Sequence, residues 1–144
     1  MKVSAKIDYA CRALLELSLH WPNSSPLQVH EVAKKQKIPI KFLVHILISL
    51  KQLGYVESIR GKKGGYILSK EPHDIKLSQV VRNFGGFGYS LDDKEKKKIG
   101  RHVMDAVWEE VDRVVLKKLD EVDFEMISNS KKRNDQIVMY EIWI

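Results

Sequence analysis

A chain of 144 residues, 44% of them hydrophobic, is long enough for one cored domain with an appendage, and its net charge of +6 is unevenly spread. Residues 1–70 hold twelve Lys/Arg against four Asp/Glu, and residues 71–144 hold thirteen against fifteen, so the first half suits a polyanionic partner and the second does something else. The single cysteine, Cys11, excludes an intrachain disulfide and a cysteine-ligated metal site within one chain, and the lack of an apolar signal core or of ~20 consecutive apolar residues predicts a cytoplasmic protein without a membrane span.

Residues 3–20 read as a helix. Val3, Ile7, Ala10, Leu14 and Leu17 recur at three- and four-residue spacing, and Cys11 and Leu15 widen the stripe. That position makes Cys11 a buried, inert thiol. Trp21 to Pro26, with two prolines and three turn-formers, ends the helix. A second helix is expected over 27–36, with Val29, Val32 and Ala33 inward. Gln36-Lys37-Ile38 is a tight connection, and Pro39 suits the first turn of a third helix that runs to Leu53 and stops at Gly54. Leu43, Ile46, Leu47 and Leu50 form its core face. The opposite face carries Ile40, Lys41, Val44, His45, Ser49 and Gln52. Two short helices joined by a three-residue turn make a helix-turn-helix pattern, whose second helix lies in the DNA major groove.

Two strand-like runs follow, 55–59 and 66–68. The tip between them, Ile59 to Tyr66, packs Arg60, Lys62 and Lys63 with Gly61, Gly64 and Gly65 into eight residues. A cationic hairpin with so few side chains suits close approach to a nucleic-acid groove. Directly after a helix-turn-helix, it reads as a wing.

Residues 71–74 form a loop and 77–84 a short helix, which Gly85, Gly86 and Gly88 end. Asp92 to Glu95 spells a capping box for a long helix over 93–121. Its stripe of Ile99, Val103, Val107, Val111, Val114 and Val115 is read as a dimerisation face, with Trp108 beside it. Asp123 can cap a further short helix, 124–128. The last eight residues, 137–144, are apolar except for Glu141, and their role is open. The fold class is therefore mainly α with a small β-hairpin wing. Residues 1–84 form a winged helix-turn-helix DNA-binding domain, 85–128 a linker and dimerisation helix, and 129–144 an apolar tail.

The expected DNA contacts are Lys2 and Lys6 at the start of the first helix, Lys41, His45 and Gln52 on the third, and Arg60, Gly61, Lys62 and Lys63 in the wing. Gly-rich phosphate loops on a βαβ unit, activated nucleophiles and metal-ligand clusters are missing from the sequence, which argues against an enzyme.

The opening Lys2-Val3-Ser4-Ala5-Lys6, with Tyr9-Ala10 and Ala13 to Leu17, resembles the start of Rrf2-family bacterial transcription regulators. The family's wing, S-V-R-G-x-x-G-G-Y, is similar to Ser58 to Tyr66 here. Phe42-Leu43 matches the aromatic-Leu pair early in its recognition helix. Ala106-Val107-Trp108 and Val122-Asp123-Phe124 resemble its long helix and the helix after it. The likeness covers about residues 1–128 and leaves the tail without a counterpart.

The resemblance implies a homodimeric repressor or activator of a partly palindromic operator. It also implies a place for an iron–sulfur cluster held by three cysteines and a further ligand. Those places fall near Ser90, Lys96, His102 and Asp105, where no cysteine stands, so neither a cluster nor another cofactor is expected. His102 and Asp105 share a spacing that metals use, but two ligands make a weak site. Where the family often has Glu-Gln, this chain has Val44 and His45, so either its operator differs from those of the cluster-bearing members or its specificity is lower. The rival reading is a protein-interaction module that docks an enzyme or sensor protein and reads DNA only weakly.

Overall fold

The computed structural model describes residues 2–22, 25–87 and 102–133. Its elements are α1 (Ala5–Leu19), α2 (Val29–Gln36), α3 (Ile40–Gln52), β1 (Val56–Ile59), β2 (Gly65–Leu68), a 3-10 turn (Pro72–Asp74), α4 (Leu77–Asn83), α5 (Val103–Leu119) and α6 (Phe124–Arg133).

Helix α1 is the spine. The Ser4 hydroxyl accepts from the Ile7 N–H at 3.2 Å and caps it, so the helix starts two residues later than periodicity alone suggests. Ile7, Ala10, Ala13, Leu14 and Leu17 are buried along one face. The small Ala10 and Ala13 let neighbouring elements approach closely, and α2, α3, α4, β2 and α6 all pack around this helix.

Helix α2 begins at Val29 rather than at 27, because Leu27 has another use. Its N–H donates to the Tyr66 carbonyl at 3.0 Å, and its carbonyl accepts from the Tyr66 N–H at 2.8 Å. The helix then closes on Lys37, a left-handed residue at φ 54. The C-terminal end of α2 is held onto α1. Buried Glu16 accepts from Gln36 Nε2 at 2.7 Å and faces Lys35 Nζ at 3.5 Å, while Arg12 Nη1 donates to the Gln36 carbonyl at 3.2 Å. Pro39 sits one position before the first helical residue of α3, and Gly54 follows its last turn.

Strands β1 and β2 pair antiparallel in the register Val56↔Leu68 to Ile59↔Gly65. Tyr55, expected as the first residue of the strand, lies one position before it and accepts at its carbonyl from the Ser69 N–H at 2.9 Å; its side chain is buried, and the phenolic oxygen accepts from Asn83 Nδ2 of α4 at 2.8 Å.

The second half of the chain rejoins the core. Leu77 N–H donates to the Val122 carbonyl at 2.9 Å and Phe124 N–H to the Ile75 carbonyl at 3.1 Å, which ties α4 to the junction of α5 and α6. Asp123 caps α6 as expected, accepting from Met126 N–H at 2.9 Å, and that helix runs on to Arg133. Phe124 is fully buried in the shared core.

The long helix departs from expectation at His102, whose extended backbone (φ −98, ψ 151) forbids a continuous helix through that point. The expected cap at 92–95, Ile99 and the apolar octamer 137–144 lie outside the described residues. Helix α5 also has two faces. Val115, Leu116 and Leu119 turn inward against the core, whereas Val103, Val107, Val111 and Val114 are exposed. Val115 therefore belongs to the core and not to the exposed stripe.

Gly64 is buried, and a Cβ there would fall on the Ile59 carbonyl within the wing turn. Gly64→Ala is expected to lower unfolding stability by about 2 kcal/mol, the usual scale for a forced backbone clash. An exposed control such as Ser69→Ala should stay within about 0.5 kcal/mol of the parent. Urea denaturation of the two variants checks this.

Candidate nucleic-acid interface

The core face of α3 dictates what its other side shows. With Leu43, Ile46, Leu47 and Leu50 buried, Lys41, Val44, His45, Ile48 and Gln52 all stand exposed. The helix contains no acidic residue, so nothing on it repels a phosphate backbone. Its far end is fixed by Lys51, whose Nζ donates to Ser58 Oγ of β1 at 2.7 Å.

The wing presents Arg60, Gly61, Lys62 and Lys63 as four consecutively exposed residues. It does not swing freely from the sheet. Gln28 Nε2, at the start of α2, donates to the Lys62 carbonyl at 3.0 Å. The Leu27–Tyr66 pair secures the other side of the hairpin. The cationic tip is therefore held at a set distance from α3.

The glycines have a different role from the one expected. Gly65 lies at φ 148, and a Cβ there would fall on the backbone of Leu27. Together with Gly64 it serves packing inside the protein rather than approach to a partner. Of the wing glycines, only Gly61 would place a Cβ in open space.

Lys2 and Lys6 are exposed near the start of α1. Lys6 Nζ lies 5.9 Å from the centre of the Phe84 ring. Its stem lines a half-open apolar hollow of about 370 Å³ with Ala5, Tyr9, Phe42, His45 and Ile46. Tyr9 and Phe42 stack there with centroids 6.3 Å apart, and Lys41 Nζ stands 5.4 Å from the centre of the Phe42 ring. Lys6 and His45, far apart in sequence, thus border one cavity.

Sequence reasoning missed Gln28 and Lys51, the two side chains that anchor the wing. Polar residues at a helix start and a helix end carry no signal of a partner over thirty residues away in one case and across a turn in the other. His102 and Asp105 also turn out differently. The imidazole Nδ1 accepts from Met104 N–H at 3.1 Å, and the Asp105 carboxylate accepts from His102 N–H at 2.9 Å. The pair caps α5 reciprocally, and a three-residue spacing serves a cap as well as it serves a metal.

Comparison with known proteins matches this architecture. The Rrf2 family model, described as an iron-dependent transcriptional regulator, matches residues 3–130. An rrf2-like HTH-type transcriptional regulator of Rhodobacter capsulatus is 43% identical over 86 residues, covering 58% of this chain and 57% of that protein. The chain matches little more than half the length of the curated relatives. Among solved structures, IscR of T. potens superposes with a TM-score of 0.76 at 30% identity, covering 97% of this chain and 96% of that one. CymR of B. subtilis, described as its global cysteine regulator, superposes at 0.71 with 26% identity, covering 90% and 97%.

The donor set does not fit a cysteine-held iron cluster. Cys11 is the only thiol, it packs against the core, and burial followed by the charge of Asp8 pushes its pKa up to about 12. His102 and Asp105 are engaged in capping, while Ser90 and Lys96 lie outside the described residues. Glu71, His73 and Asp74 are the one group of three potential ligands among the described residues. All three are exposed, and His73 faces Glu71 at 3.1 Å and Asp74 at 3.2 Å.

Cys11 should resist alkylation by iodoacetamide at pH 8 in the native protein and react fully in denaturant, as mass spectrometry would show. Its raised pKa has a fixed sign in linkage. The unfolded thiol ionises near pH 9 while the folded one holds its proton to about pH 12, so stability should fall as pH rises through that window. Cys11→Ala should remove that part of the alkaline loss in thermal melts across the same range.

Proposed function

Because the chain belongs to the Rrf2 family of transcriptional regulators, we propose that it is a sequence-specific DNA-binding regulator that acts as a homodimer on a partly palindromic operator. The observation that carries the reading is the clamped cationic wing. Arg60, Lys62 and Lys63 are all exposed, and Gln28 and Leu27 hold them beside an acid-free α3 whose outer face is bare.

In this reading residues 1–84 are the DNA-binding unit. Helix α3 enters the major groove with Lys41, His45 and Gln52 toward bases and phosphates. Arg60 reaches the flanking minor groove, where a narrow A·T tract concentrates negative potential. Gly61 lets the wing backbone come close, Lys62 and Lys63 meet phosphates, and Lys2 and Lys6 extend the contact from the start of α1.

The exposed stripe of α5 is the dimer seam. Val103, Val107, Val111 and Val114 are 73, 45, 49 and 58% exposed, and they recur at helical spacing on the face turned away from the core. A second copy of the same stripe would cover them, and a two-fold pair of α3 helices would reach half-sites about 34 Å apart. The chain would act by occupying DNA and not by catalysis.

Selection of bound sequences from random duplex DNA tests this. A palindromic consensus is expected, and Arg60→Ala should weaken binding to it at least about tenfold. Lys62→Ala should weaken all duplexes alike and lower the slope of log K against log salt by about one unit per subunit. Val107→Glu with Val111→Glu should convert a dimer to a monomer in light scattering. A monomeric parent protein would sink the dimer seam.

A further inference from the structure

Ile40, Val44 and Ile48 form a second row on α3 beside the polar row of Lys41, His45 and Gln52. They lie four residues apart, one above the next, and are 51, 39 and 44% exposed. At 1.5 Å per residue the row is about 12 Å long, which matches three to four base steps along a groove.

Single exposed apolar residues need no explanation, but three in register on a recognition surface do. Helix stability does not supply one, since β-branched residues at water-facing positions are poorer helix formers than Ala, Lys or Glu. Neither does the core, which α3 already fills with Leu43, Ile46, Leu47 and Leu50. Phe42 is occupied separately, stacked on Tyr9.

None of the three side chains has a donor or acceptor, so none can select guanine, adenine or cytosine by hydrogen bonding. Of the four bases, only thymine offers an apolar group in the major groove, its 5-methyl. We propose that the row Ile40, Val44 and Ile48 reads thymine methyl groups, so that specificity at those base pairs comes from methyl burial while the polar row supplies hydrogen bonds beside it. The proposal rests on the DNA-binding reading above and names what that site recognises.

The test uses the full chain and its selected operator, with each thymine replaced in turn by deoxyuridine. This removes one methyl and leaves every hydrogen-bonding edge intact. At one or more thymines in each half-site the replacement should weaken binding about fourfold, the factor carried by one buried carbon group. Val44→Ala should bind the thymine and uracil versions of its contacted position equally. The DNA substitution needs no protein variant, so misfolding cannot mask the result. Specific binding that is indifferent to every uracil replacement overturns methyl reading and leaves DNA recognition standing. Failure of any duplex to be enriched overturns the DNA-binding reading and the inference with it. A change of oligomeric state in Val44→Ala with unchanged uracil discrimination assigns the row to a protein contact instead.

Discussion

Two hydrogen bonds between Leu27 and Tyr66 set the geometry on which everything else depends. A helix-turn-helix and a hairpin are separately commonplace. They become one surface only when the hairpin is locked to the helices, because a groove-spanning contact requires α3 and the wing to hold a fixed separation. The exchange of backbone bonds at 3.0 and 2.8 Å extends the two-stranded wing by a third, one-residue rung drawn from the approach to α2. Gln28 then adds a side-chain bond to the wing tip, at the next residue along. Neighbouring residues thus grip opposite parts of the same hairpin, and the conformational entropy of the wing is lost during folding.

Much of this was legible in the residues themselves. The three- and four-residue recurrence of Ile7, Ala10, Leu14 and Leu17 reports a helix because burial of one face demands it, and the same holds for Leu43, Ile46, Leu47 and Leu50. Gly54 and the Pro39 break bound α3 correctly within a residue. The exposure of the wing cations was legible because charges packed between two strands stay in water. What escaped was non-local. Leu27 looks like the start of a helix until its partner, thirty-nine positions on, claims its backbone. Tyr55 sits at the edge of the strand as its sequence suggests, but nothing local shows that its phenol will reach Asn83, twenty-eight positions on.

The reach of local pattern also explains the misreading at His102. An apolar stripe that keeps phase across residues 99–115 argues for one helix, since periodicity records only which side is buried. It is silent about a backbone that leaves helical geometry at one residue. A histidine that accepts at Nδ1 and an aspartate that answers three residues later stabilise a helix start at that point. The segment Val115 to Leu119 then anchors α5 to its own core, while the stretch before it projects valines outward. One helix serves both purposes by rotating its apolar residues through two faces.

Gly64 and Gly65 change how a sequence of this kind should be read. Their lack of side chains is demanded by the Ile59 carbonyl and by the backbone of Leu27, not by any partner. A descendant that abandoned its operator and kept its fold would therefore retain the double glycine while Arg60, Lys62 and Lys63 drifted away. On the proposed reading the glycine pair is a mark of architecture and the three cations a mark of DNA occupation, so only the second would distinguish a working regulator from a scaffold that has outlived its task.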